Sequence, residues 1–212
     1  MSAFLLFGSA FVYQNAAYAQ RYRDRVERVR NAVAQAGLDN ALTRAVAKNL
    51  FKLMAYKDEY EVARLFSDPA FEEKLRSTFD GDLKIKYNLA PPLLAKRDPN
   101  GHFIKAEYGG WMKYAFRLLA KMKSLRSTAF DPFGYTEERK TERRLIRDYE
   151  AALDEALALL NKENAKLVTD VASLPEKVRG FGHVKAKNIA TFDEQRDHLL
   201  RQLRDARLAQ AA

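Results

Sequence analysis

The chain has 212 residues, 47% of them hydrophobic and 31% charged, with 9 glycines and 6 prolines, a balance that excludes disordered, collagen-like and low-complexity classes. It contains no cysteine, which removes disulfides, thiolate zinc sites, cysteine nucleophiles and any iron–sulfur cluster ligated by this chain alone. The 37 Lys and Arg against 28 Asp and Glu leave a net charge of +9, which favours anionic partners such as nucleic acid, acidic proteins or phosphorylated ligands.

Residues Ala3 to Val12 form an apolar run of signal-peptide length, and Ala17-Tyr18-Ala19 has a small-x-small pattern. No Lys or Arg precedes the run, whereas Arg21, Arg23 and Arg25 follow it, the reverse of a secretory signal. The run is also shorter than the ~20 residues that a membrane span requires. The expectation is a cytoplasmic protein with no membrane span, made of an apolar leader over 1–12 and a single helical domain over 13–212.

Tyr22, Val26, Val29 and Val33 recur at helical spacing up to Gly37, a natural stop. Asp39 or Asn40 can cap a second helix with Leu42, Val46, Leu50 and Leu53 on one face. A third runs through Tyr60, Ala63 and Leu65. Asp68-Pro69 opens a fourth, with Phe71, Leu75 and Phe79 predicted inward. After the Asp80-Gly81-Asp82 turn, Leu83, Ile85, Tyr87 and Leu89 alternate with polar residues, which predicts a strand ended by Pro91-Pro92. A turn at Asp98 to Gly101 and a return strand over Phe103 to Tyr108 complete a hairpin. Helices are predicted from Trp111 through Ala115, Leu118, Leu119 and Met122, then through Leu145, Tyr149, Leu153, Ala156 and Leu160. A shorter one holds Leu167, Val168, Val171 and Leu174 up to Pro175. The last runs over Val184 to Leu208, with Ile189, Phe192, Leu199 and Leu203 at helical steps. The fold class is thus mainly α (α+β): about seven helices with a small β-hairpin inserted near 82–108.

Charged clusters read mostly as solvated faces. Arg21, Arg25 and Arg28 fall on one flank of the first helix, Arg23 and Arg30 on the other, with Asp24 and Glu27 between them, the pattern of a salt-bridged amphipathic helix. Glu137 to Arg144 also mixes signs. Lys84, Lys86, Lys96, Arg97, Lys105 and Lys113 lie among Tyr87, Phe103, Tyr108 and Trp111, which suits either the solvent edge of a sheet or a nucleic-acid surface. The three histidines, His102, His183 and His198, are too far apart in sequence to suggest a metal site or a triad. Lys57 to Glu61 crowds carboxylates together. On a helix, Tyr56, Tyr60 and Ala63 share one face, which leaves Lys57, Asp58, Glu61 and Arg64 for water or a partner.

Arg179-Gly180-Phe181-Gly182-His183-Val184-Lys185 opens the last helix. Its glycines suggest backbone with positive φ or close approach, and the helix start offers N–H groups to an anion beside Arg179, His183 and Lys185. Neither a phosphate-loop nor a dinucleotide fingerprint is present. The bland alternative is a turn between two helices.

The segment Lys48 to Leu65 (KNLFKLMAYKDEYEVARL) resembles the C-terminal domain of the long, fused indolepyruvate ferredoxin oxidoreductases. Leu89-Ala90-Pro91-Pro92-Leu93-Leu94, Asp131-Pro132-Phe133-Gly134-Tyr135 and Arg179 to Lys185 agree in the same order, and the resemblance extends from about Tyr13 to the C-terminal helix. Members of that family decarboxylate arylpyruvates oxidatively to acyl-coenzyme A with thiamine diphosphate and iron–sulfur clusters. The resemblance therefore implies an accessory domain, here as a detached chain whose partners are the catalytic domains or subunits, with ferredoxin or coenzyme A as further candidates. Thiamine diphosphate and clusters belong to the complete enzyme. No catalytic residue carries over to any position of this sequence. Lys57, Asp58, Glu61 and Arg64 are the candidate partner-binding face, because the resemblance is densest there. Arg179, Gly180, Gly182, His183 and Lys185 are the candidate anion site, for coenzyme A phosphates or an acidic ferredoxin surface. The alternative is a free-standing basic helical module that binds nucleic acid or an acidic protein.

Overall fold

The structure is a computed structural model that describes residues 13–91, 95–96, 98–99, 104–180 and 182–211, with the side chains of 182, 183 and 211 outside the description. The leader over 1–12, Pro92 to Leu94, Arg97, Asn100 to Phe103 and Phe181 therefore lie outside the described residues. In chain order the elements are α1 (Ala16–Gln35), α2 (Ala41–Met54), α3 (Glu59–Ser67), α4 (Pro69–Thr78), β1 (Tyr87–Leu89), β2 (Ala106–Tyr108), α5 (Met112–Lys121), α6 (Glu137–Ala158), α7 (Ala165–Ser173) and α8 (Gly182–Ala211). Short 3₁₀ turns follow α5 at Met122–Leu125 and α7 at Leu174–Lys177. The fold is mainly α with one small antiparallel sheet. Where the sequence reads as one domain, the chain forms two compact units: residues up to Tyr56 with Thr141 onward, and Lys57–Lys140.

In the first unit, α1 starts at Asn15, whose Oδ1 accepts the Tyr18 N–H at 2.9 Å. It ends where Gly37 takes φ +65°. There the Leu38 N–H reaches the Val33 carbonyl and the Gly37 N–H the Ala34 carbonyl, both at 3.0 Å, closing a Schellman motif. Its face of Tyr22, Val26, Val29 and Val33 is buried, as the spacing predicts, with Leu42, Val46, Leu50 and Leu53 of α2. Leu145, Tyr149, Leu153 and Ala156 of α6, Val168 and Val171 of α7, and Phe192 and Leu203 of α8 complete the same core. Two phenols enter this core and each finds a backbone acceptor: Tyr22 donates to the Ala47 carbonyl at 3.0 Å and Tyr149 to the Ala172 carbonyl at 2.7 Å. The basic flank of α1 is neutralised by α6, since Arg21 pairs with Glu150 at 2.5 Å and Arg25 and Arg28 both reach Asp154. Ile189 of the predicted apolar face of the last helix is buried there too, whereas Val184 and Leu208, its predicted bounds, are exposed.

The second unit packs α3 and α5 on the hairpin. The register pairs Tyr87 with Tyr108, Asn88 with Glu107 and Leu89 with Ala106. Tyr87 is buried against Phe116 and Phe66, with ring centroids 5.2 and 5.4 Å apart, while Phe66 and Phe116 stack at 5.3 Å. The sheet is shorter than predicted: residues 83–86 keep the alternation but have no ladder partner, because pairing with β2 stops at Tyr87. The helix opened by Asp68 and Pro69 forms, yet buries nothing. Phe71, edge-on to Phe66 at 5.5 Å, and Leu75 are half-buried, whereas Phe79 is 55% exposed, so the predicted inward face is corrected at Phe79. Leu65 and Leu118 are likewise exposed, and α5 turns Met112 and Phe116 inward instead.

Burial pushes the Tyr22 phenol up to about 12 and the Tyr149 phenol well above its ordinary value. Both groups hold their protons more tightly folded than unfolded, so their contribution is intact below about pH 10, and that of Tyr22 is lost as pH rises through about 12. The melting temperature is expected to fall steeply across that window, and Tyr22→Phe to flatten part of the fall in a thermal scan at each pH.

Candidate functional site

Two segments singled out by the sequence are resolved into local chemistry. In Lys57 to Arg64, Asp58 is the N-cap of α3: its Oδ1 accepts the Glu61 N–H at 2.8 Å. The carboxylate is only 3% exposed and is clamped by Arg126, with Nε at 2.5 Å and Nη2 at 2.9 Å. The expectation that Asp58 faces water or a partner is thus corrected. As the residue before the helix it does not obey the helical wheel, and a guanidinium 68 positions later draws it inward. Lys57 is exposed, whereas Glu61 and Arg64 form a bidentate pair at 2.8 and 2.9 Å on a half-buried surface. The Arg64 guanidinium is raised by that hydrogen bond.

The Asp131-Pro132-Phe133-Gly134 motif joins the same network. Asp131 Oδ1 accepts from the Tyr60 hydroxyl at 3.0 Å and the Phe133 N–H at 3.1 Å, and Oδ2 accepts from the Ser127 N–H at 2.8 Å. Ser127 is held at φ +62°, a left-handed conformation that this bond stabilises. A Cβ on Gly134 would sit 2.8 Å from Asp131 Oδ2, which explains the glycine. Arg126 lies 5.6 Å over the Tyr60 ring and Phe133 meets that ring edge-on at 5.4 Å. The Tyr60 phenol is pushed up by burial first, then by its bond to Asp131. Beside it, Arg139 Nε lies 3.3 Å from Glu59, whose carboxyl is raised by burial against the opposing pull of Arg139. Arg126 and the Tyr60–Asp131 bond are absent from the sequence reading, because the partners lie 68 and 71 positions apart and no periodicity links them.

The Arg179 to Lys185 segment follows the 3₁₀ turn. Gly180 takes φ +90° and a Cβ there would come 2.8 Å from Val184 Cγ1, so positive φ and close approach both hold at this glycine. Gly182 is the first residue of α8, and the side chain of His183 lies outside the description. Arg179 Nε donates to the Glu176 carbonyl at 2.7 Å, and its own carbonyl accepts from Asn188 at 2.8 Å. Lys185 pairs with Glu142. From α2, Lys52 donates to the Pro175 carbonyl at 2.6 Å and Lys48 pairs with the Glu176 carboxylate at 2.7 Å. Burial and the like charges of Arg179, Lys185 and Lys48 lower the Lys52 ammonium, against Glu176. The lysines of α2 are the participants the sequence reading missed; their i,i+4 spacing was visible, but not the turn they meet. A groove of about 660 Å³ borders the turn, lined in part by Asp170, Ser173, Lys177, Arg179 and His198. Cations surround Glu176 here, but their donors are largely spent on carbonyls and carboxylates of the chain, so what they present outward is a positive field. Among the described residues no group of three His, Asp or Glu is placed to hold a metal, and no helix is long and apolar enough to cross a membrane.

A family model matches residues 9–198, and the chain belongs to that family, DUF6537, described as a family of unknown function. No curated protein and no solved structure matches the chain.

Removing one member of a buried ion pair leaves the other charge uncompensated, at a cost of about 3–5 kcal/mol. Asp58→Ala is therefore expected to lower the melting temperature sharply, and Asp58→Ala with Arg126→Leu to recover part of it. Retention of wild-type stability by Asp58→Ala would mean that the pair is not structural. Gly180→Ala is expected to cost about 1 kcal/mol or more in urea unfolding, since it combines a left-handed φ with a close contact.

Proposed function

We propose that this DUF6537 chain is a non-catalytic accessory domain of an indolepyruvate-type (arylpyruvate):ferredoxin oxidoreductase. The observation that carries the reading is the use made of the segments that resemble that family. Lys48 to Leu65 supplies Asp58 and Tyr60, and Asp131 to Tyr135 supplies the carboxylate that holds the Tyr60 hydroxyl and the glycine that makes room for it, while Arg126 holds Asp58. Arg179 to Lys185 supplies a turn that requires glycine at Gly180, and charge. These three segments are used in architecture and electrostatics, as an accessory domain requires.

The cofactors of the complete enzyme do not fit these residues. With no cysteine the chain offers a cluster no thiolate. Its only Gly-Asp dipeptide, Gly81-Asp82, is an exposed turn where a Cβ on the glycine would meet open space. Thiamine and cluster chemistry are therefore assigned to other domains, and this chain's contribution is to dock and to present positive charge. Lys48, Lys52, Arg179 and Lys185 give an anionic component, an acidic ferredoxin surface or coenzyme A phosphates, a field to approach.

The purified chain is expected to show no viologen reduction above background with arylpyruvate, coenzyme A and thiamine diphosphate. Mixed with the thiamine- and cluster-bearing chains of such an oxidoreductase, it is expected to co-elute in size-exclusion chromatography. Turnover by the chain alone, or separate elution at all salt concentrations, overturns the reading. Retardation of single-stranded nucleic acid at physiological salt would favour the free-standing basic module instead.

A further inference from the structure

Helix α5 has two apolar faces and the second unit uses one. Met112 and Phe116 are buried, whereas Trp111, Tyr114 and Leu118 are 61%, 71% and 65% exposed. At about 100° per residue, positions i, i+3 and i+7 fall within one narrow stripe. Beside it stand Arg117, its guanidinium 6.0 Å over the Tyr114 ring, and Lys121 one turn further on. From Gly109 to Phe130 the chain carries five cations and no carboxylate. Two of the five are spent, Lys113 on Glu72 and Arg126 on Asp58. Arg117 and Lys121 have no carboxylate partner among the described residues.

We infer that the outer face of α5 docks an acidic segment of a partner protein that inserts apolar side chains along Trp111, Tyr114 and Leu118. Charge complementarity selects the acid, and the stripe selects a protein. Trp, Tyr and Arg are the residues on which protein interfaces concentrate their affinity, around a small apolar centre with a charged rim. Two uncommitted cations are few for a polyanion, whose binding depends on the number of phosphates neutralised. Stable membrane attachment draws on a larger apolar face with many basic residues. The surface follows from α5 itself and does not rest on the oxidoreductase reading.

Trp111 is the only tryptophan of the chain, so its fluorescence reports on this face and on the Tyr108 ring that it meets edge-on at 6.1 Å. In the free full-length chain its emission is expected to be that of a hydrated indole, open to acrylamide. Panning the chain against a displayed library of random peptides is expected to enrich sequences with Asp or Glu beside Phe, Leu or Ile. Synthetic copies should shift Trp111 emission to the blue and shield it. Arg117→Glu with Lys121→Glu, and separately Tyr114→Ala with Leu118→Ala, should each weaken binding roughly tenfold or more, with circular dichroism and melting unchanged because all four side chains are exposed. The inference is overturned if nothing is enriched, if the enriched peptides lack acidic residues, or if they bind the charge-reversed chain equally. A larger Trp111 shift with oligothymidine or with phosphatidylglycerol vesicles assigns the face to nucleic acid or to a membrane. An indole already shielded in the free chain means that the stripe is covered. Each of those outcomes also overturns it.

Discussion

The second unit is organised around one buried ion pair. Placing Asp58 and Arg126 in the interior costs several kcal/mol of desolvation for each charge, and the attraction between them offsets that only if the remaining hydrogen-bonding capacity is also used. Here it is: Asp58 caps α3, and Arg126 lies over the face of Tyr60. The Tyr60 hydroxyl in turn donates to Asp131, which ties down the 127–134 turn. The start of α3, the 3₁₀ exit from α5 and the turn before α6 are thereby fixed by side chains whose removal strands a charge. A network of this kind adds little net stability but makes alternative arrangements costly.

Apolar periodicity was enough to place the helices, because the burial of α1, α2, α6 and α7 follows one repeating face each. Turn chemistry was legible where a residue type is nearly obligatory, as at Gly37, Asp68-Pro69 and Gly180. What failed were inferences that needed the neighbour. The 83–89 alternation is a strand pattern, yet only the three residues opposite β2 obtain a ladder. Phe71, Leu75 and Phe79 read as one apolar face, but only the rim of the second unit's core meets it: Phe71 packs edge-on against Phe66 at 5.5 Å and Phe79, past the end of α4, stays exposed. Asp58 looks like a surface carboxylate until Arg126 is brought to it, and its capping role removes it from the helical wheel altogether.

The basic residues divide in the same way. A net charge of +9 suggests a surface available to polyanions, yet the densest run, on α1, is largely committed within the first unit. Arg21, Arg25 and Arg28 are matched by Glu150 and Asp154 of α6, in partly exposed pairs that contribute little stability but remove those charges from view. Lys86 is answered by Glu107 across the hairpin, and Lys113 by Glu72. Counting cations therefore overstates what the chain offers to a partner; which of them lack an internal carboxylate matters more.

Two clusters of positive charge illustrate the difference, with different physical uses. Around the 174–180 turn the lysines and Arg179 donate to carbonyls and carboxylates of their own unit, so their potential extends outward while their hydrogen bonds do not. Such a field accelerates the approach of an acidic partner and discriminates against a basic one, but it cannot by itself hold a ligand once bound. On α5 the relation is inverted: few charges, but uncommitted ones, flank aromatic area that water solvates poorly. Residence time comes from contact of that kind, since the apolar area removed from water sets the dissociation rate more than the encounter. The proposed accessory role would draw on both properties, and in this chain they reside in different elements, so substitutions can alter one without the other.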